Sequence, residues 1–207
     1  PSIEDRVNAL RNETTRAKLI AEGIEAGDMK NLAHMLHPFG IDSKPNLDFA
    51  RQQSLLQLAE AEGKDPVEVY VERLLASEGR EFFNFWMFGG NLDNQWKYMQ
   101  LPHVVPMLGD AGAHVGFFTD TDSPTVLLSE LTREQGVYSL PEAVHRITGK
   151  SAAIIGLKER GELREGWHAD INVIDYENLS TCHPEYVNDF PHGGGRFVVK
   201  GKGYDAT

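Results

Sequence analysis

His103-Val104-Val105-Pro106-Met107-Leu108 runs directly into Gly109-Asp110-Ala111-Gly112-Ala113-His114, and the join between these two runs decides the fold. The first half is short and apolar, as a buried strand would be, and the second is a glycine-rich loop. A carboxylate delivered at the C-terminal end of a buried parallel strand stands where α/β barrels and open α/β sheets place catalytic groups. Asp110 can equally be an acid that caps a turn through its own backbone. Gly109 and Gly112 either bring backbone close to a ligand or supply positive φ. No Gly-Lys-Ser/Thr follows, so this is not a phosphate loop. His114, four residues after Asp110, can hydrogen-bond a substrate carboxylate or an oxyanion, or be an ordinary solvated loop histidine.

Upstream of this stretch the pattern is mainly helical. Apolar residues at Ile3, Val7, Leu10, Ala17, Ile20, Ala21 and Ile24 keep the spacing of one amphipathic helix, with Ser2 placed to cap it. Gly23 to Pro45 reads as a punctuated connection that contains His34 and His37. Their spacing of three would put both on one helical face, but no third metal ligand is near. Further helices are expected from Leu47 to Ala61 and from Asp65-Pro66 to about Gly79, the latter with Asp65 as cap and Pro66 in the first turn. Phe82 to Phe88, stopped by Gly89-Gly90, reads as a buried strand, and a helix is expected around Leu92 to Met99.

Downstream, Ser123-Pro124 opens a helix through about Glu134, closed by Gly136. Ser139-Leu140-Pro141-Glu142 is a capping box that opens another, carrying Ala143, Val144 and Ile147. Beyond Gly156 the chain changes to short β-type runs such as Ile171-Asn172-Val173-Ile174 and Phe197-Val198-Val199. A domain boundary is therefore placed near Leu157, dividing residues 1–157 from 158–207. Glu159 to Glu165 reads as a solvated turn of mixed charge around Gly161. The whole is an α/β chain in which strand, loop and helix alternate through the middle.

Composition narrows the partners. The 207 residues are 41% hydrophobic and 25% charged, as in an ordinary globular protein. With 20 basic against 31 acidic residues and a formal charge of −11, nucleic acid and anionic membranes are poor partners, since each phosphate contact asks for a Lys or Arg. No apolar run is long enough to span a bilayer. The single cysteine, Cys182, cannot form an internal disulfide, which favours a reducing cytoplasm, and it has no acidifying neighbour to make it reactive.

Two motifs carry a family resemblance. Leu108-Gly109-Asp110-Ala111-Gly112-Ala113-His114-Val115-Gly116 resembles the segment around the last barrel strand of the N-acyl-D-amino-acid deacylase branch of the amidohydrolase superfamily. Arg160-Gly161-Glu162-Leu163-Arg164-Glu165-Gly166-Trp167-His168-Ala169-Asp170-Ile171-Asn172-Val173-Ile174-Asp175 resembles the superfamily's C-terminal signature, where the chain leaves the barrel for a small β-sandwich. With Ser139 to Leu157, the similarity extends from about Asp65 to Thr207.

The resemblance implies the C-terminal part of a metal-dependent (β/α)8 TIM barrel followed by part of a β-sandwich. One or two divalent ions, usually zinc, would activate a water against the carbonyl of a small-molecule amide. Asp110 inherits the role of general base and acid on that water, and of a weak metal ligand, with His114 and Gly112 beside the substrate. The family's paired His-x-His has no match in the chain, and a full barrel takes about 250 residues. The chain is therefore expected to be a piece of the enzyme that binds no metal and shows no activity by itself, its partner being the missing N-terminal part; a homo-oligomer is left open. A hydantoinase-like or dihydroorotase-like cyclic-amide hydrolase and a non-catalytic structural or binding fragment are the alternatives.

Overall fold

The computed structural model describes residues 2–40, 52–86, 97–106, 109, 112–113, 115 and 121–207. The chain divides into two compact units, Pro1–Leu92 and Asp93–Thr207.

The first unit is a helical layer with one β-ribbon. Helix α1 (Ile3–Arg11) starts at a capping box between Ser2 and Asp5. The single helix expected from Ile3 to Ile24 is divided at Asn12, which takes an extended conformation and opens α2 (Glu13–Ala26). The reason is local chemistry. Asn12 Oδ1 accepts from the Thr15 backbone N–H at 3.0 Å, offering the backbone an N-cap where apolar periodicity alone would continue the helix. After α3 (Asp28–Leu32), β1 (Leu36–Gly40) takes up residues expected in an irregular connection. Helices α4 (Leu55–Glu62) and α5 (Pro66–Ala76) each begin with a capping box, Ser54 with Gln57 and Asp65 with Glu68.

The Phe82 strand is present as β2 (Phe82–Phe85), but it is half-buried and pairs antiparallel with β1, His37 opposite Asn84 and Pro38 opposite Phe83. Arg73 on α5 grips Glu81 just before β2 with bonds of 2.9 and 2.5 Å. Ala33, Leu55, Ala59 and Val69 form the buried centre of this unit, flanked by Met29, Leu36, Tyr70 and Phe83.

In the second unit, residues 97–100 form a helical turn. Residues 103–106, the described part of the expected strand, form a turn and irregular chain instead. Pro106 has no N–H to give a ladder, and the carbonyls of Leu101 and Val104 are taken by a side chain. The helix opened by Ser123 is α6 (Ser123–Val126), continuing as π-helix from Leu127 to Glu134. Helices α7 (Leu140–Ile147), capped by Ser139, and α8 (Gly149–Ile155) follow.

The C-terminal residues make one interrupted antiparallel ribbon. Strand β3 (Val173–Ile174) pairs with β8 (Tyr204–Ala206), β4 (Ser180–Thr181) with β7 (Gly201–Lys202), and β5 (Glu185–Val187) with β6 (Arg196–Val198), each pair nested inside the last. The expected strand at Ile171 is shorter than the apolar run and starts at Val173. Leu127, Leu128, Tyr138, Ala143 and Leu179 form the buried centre, so the helices and the ribbon share one core. All the strand pairings among the described residues are antiparallel, and these residues do not close a barrel or stack into a sandwich.

Candidate active-site loop

Asp110 and His114 lie outside the described residues, as do Met107, Leu108 and Ala111. What the structure describes is the chain on both sides of them. Gly112 has φ +85°, with no described atom within 4 Å of where a Cβ would sit. That φ lies in the left-handed region that favours glycine.

The approach to the loop is organised by Arg146, in the last turn of α7. Its side chain is only 4% exposed. Nε donates to Glu142 one turn earlier at 2.6 Å, and the other donors all point at main-chain carbonyls. Nη1 reaches Met99 and Val104 at 2.7 Å each and Leu101 at 3.2 Å, while Nη2 reaches Gln100 at 3.1 Å. These carbonyls belong to the end of the 97–100 helical turn and the chain just after it. They would otherwise be orphans at the negative end of a helix, where a cation is electrostatically favoured. Tyr138 completes the arrangement: its hydroxyl donates to Met99 O at 2.8 Å, and its ring lies 4.9 Å from the Arg146 guanidinium carbon. Burial pushes the Tyr138 hydroxyl above the usual phenol value, with the neighbouring guanidinium pulling the other way. Lys150 adds a 3.3 Å bond to Val104 O.

Beyond the loop, Val115 O accepts from the Phe197 N–H of β6 at 2.8 Å. The following chain is tied to the ribbon as well, through Thr181 to the Asp122 carboxylate and through Tyr204 to Thr125, hydroxyl to hydroxyl at 2.7 Å. Val104 is thus bonded to Arg146 of α7, and Val115 to Phe197 of β6.

Among the described residues no three His, Cys, Asp or Glu side chains are grouped to hold a metal ion. His34 and His37 do not share a helical face: His34 is in a turn, and His37 is buried in β1, its ring stacked 4.3 Å from that of Trp86. Burial lowers the His37 pKa, opposed in part by a backbone hydrogen bond at Gln52. Glu159 to Glu165 keeps its turn, yet Gly161 packs against Gly149 and Ala152 of α8 rather than standing free. Arg146 and Tyr138 had no functional signal in sequence beyond a cation in the last turn of a helix and a tyrosine beside its cap.

A family model described as "Amidohydrolase family" matches residues 2–190. Among curated proteins, an N-acyl-D-aspartate deacylase of Alcaligenes xylosoxydans xylosoxydans is 46% identical over 56 residues, covering 27% of this chain and 11% of that protein. A D-aminoacylase of the same organism is 33% identical over 78 residues, covering 31% of this chain and 16% of that protein. The chain thus matches only a small part of the length of these relatives, and no solved structure matches it. With the family model covering residues 2–190, which is most of the chain, the chain belongs to the amidohydrolase family.

Proposed function

We propose that the protein carrying this chain hydrolyses a linear amide, a carbon–nitrogen bond other than a peptide bond, and that it deacylates an N-acyl-D-amino acid. The observation that carries this reading is the match of the amidohydrolase model to residues 2–190, a stretch that contains Asp110. The names of the two relatives support the substrate class. In this reading residues 1–157 supply part of a (β/α)8 barrel, 158–207 part of the β-sandwich after it, and the location is cytoplasmic. The Asp110 carboxylate accepts a proton from the attacking water and returns it to the nitrogen of the departing amine, with His114 and Gly112 beside the substrate. A neutral side chain could neither hold the water through a charge-assisted bond nor move its proton. The family's divalent ion, taken here as zinc, finds no ligand set among the described residues, and the chemistry assigned to the chain is that of Asp110.

The test is an assay of the full-length protein on N-acyl-D-amino acids and on cyclic imides, beside the Asp110→Asn variant. Release of the free D-amino acid is expected, with a loss on the order of 10²- to 10⁴-fold in the variant, the usual weight of a general acid–base group. Turnover of cyclic imides in place of linear amides would favour the hydantoinase-like or dihydroorotase-like alternative. An unimpaired variant would refute the role of Asp110.

A further inference from the structure

We infer that the β1–β2 ribbon is a proton-triggered switch: a proton taken up at His37 Nδ1 opens this ribbon and leaves helices α4 and α5 of the first unit in place. In an antiparallel ladder, residues directly opposite one another share a face, and the face alternates along each strand. Leu36 and Phe83 pack against the buried cluster of Ala33, Leu55, Ala59 and Val69. His37, the next residue after Leu36, therefore stands on the other face, beside its register partner Asn84. Trp86, two residues past Asn84, stacks its ring on His37.

Two polar atoms on this face are unsatisfied. Among the described residues, His37 Nδ1 and Asn84 Nδ2 are buried without a hydrogen-bond partner. The bond between the His37 ring and the Gln52 backbone favours the protonated ring, so the ring donates there and the neutral form keeps its proton on Nε2. Nδ1 is then a bare lone pair close to an amide N–H. A second proton can go only to Nδ1. It would set a new N–H beside the Asn84 amide N–H, donor against donor, and would add a charge to a dry site.

Among the described residues no charge offsets that one. Helix α4, packed against β1, carries Glu60 and Glu62, both exposed, and Glu62 is held by Lys64 at 2.8 Å. Glu81, just before β2, is held by Arg73, and His34, before β1, is exposed. Tyr70 of α5 lies against Phe83, on the opposite face of the ribbon. None of them contributes to the lowered His37 pKa, which comes from burial against the opposing Gln52 bond.

Opening removes the conflict, because water then accepts from both groups. The opened ring titrates near the ordinary 6.5 and the closed ring below it, so opening gains about tenfold for each pH unit below 6.5 until the lowered closed value is reached. The ribbon yields before the helices for a structural reason. It has only two strands, marginal by themselves, whereas α4 and α5 have capping boxes and share the buried cluster.

The experiment is amide hydrogen exchange in the full-length protein from about pH 5 to about pH 7.5, corrected for the intrinsic rate, with peptides from the ribbon compared with peptides from α4 and α5. Protection of Leu36–Gly40 and Phe82–Phe85 is expected to fall by up to about tenfold per pH unit below 6.5, while the two helices hold theirs. His37→Leu should leave the ribbon's protection level across the range. Asn84→Asp sets a carboxylate acceptor beside Nδ1, which stabilises the imidazolium in the closed ribbon, and the acid-side loss should disappear; if that variant does not fold, His37→Leu carries the test. Level protection in the unaltered protein, as would follow if the Asn84 amide turned its oxygen toward the new N–H, would overturn the inference. So would an equal loss in α4 and α5, or a loss that persists in either variant.

Discussion

Gly203 and Gly156 are a matched pair for separating backbone strain from lack of room. Both have left-handed φ, +89° at Gly203 and +77° at Gly156. An alanine at either position would carry about 1 kcal/mol for a conformation that a side chain disfavours. At Gly156, which ends α8, a Cβ would meet nothing within 4 Å, so that strain is the whole expected cost. At Gly203 a Cβ would lie 2.8 Å from Leu179 Cα, 2.9 Å from Asp175 O and 3.0 Å from Leu179 N. All three are main-chain atoms, so no rotamer change can relieve the overlap, and the backbone must part. Parting it loosens the 2.9 Å bond from Asp175 N to Gly203 O and the neighbouring β3–β8 pairing. Two such hydrogen bonds add about 2 kcal/mol. Gly203→Ala is therefore expected to destabilise the second unit by about 3 kcal/mol and Gly156→Ala by about 1 kcal/mol. Urea unfolding of both variants, with midpoints and slopes compared, reads the difference. Equal losses would refute the reasoning, because φ alone would then account for both.

Two further outcomes concern the first unit. His37 is held below the usual imidazole value of 6.5 by burial, so the unfolded chain takes up a proton that the folded one refuses; stability is expected to fall as pH drops from about 6.5 toward the lowered folded value, and His37→Leu should flatten that part of a urea-midpoint profile taken between pH 5 and 7. Leu55→Ala removes a fully buried side chain at the centre of the cluster with Ala33, Ala59 and Val69; a loss of about 2–5 kcal/mol is expected in thermal or urea unfolding, and a loss under about 1 kcal/mol would mean that this core collapses around the gap.

What was legible in the sequence was chemistry that acts over three or four residues. Ser2, Asp65 and Ser139 each cap the helix expected after them, because the cap and the backbone N–H that donates to it lie within one turn. Asn12 is the same chemistry in reverse: the apolar period passes over it unbroken, while its own side chain offers the backbone a stop. The run from His103 is short and apolar, a pattern that cannot distinguish a strand from a turn packed against a core. What decides between them is Arg146, 42 residues past Val104, and no local window contains it. The catalytic candidate itself comes from motif resemblance, with Asp110 and His114 outside the described residues, and the structural findings concern Val104 before it and Val115 after it.

The nested order of the C-terminal ribbon has a consequence for how the second unit folds. Closing a loop costs entropy that rises only slowly with its length, and the shortest closure here joins Val187 to Arg196 around residues 188–195. Once that pair is made, β4 meets β7 and β3 meets β8 by adding only a few residues on each arm. Search over long separations is thereby replaced by zipping from a single tip, and the chain ends far apart in sequence are brought together without a separate encounter. The contacts that this zipping does not make are those of the ribbon with Thr125 and Val115, which span 79 residues from Thr125 to Tyr204.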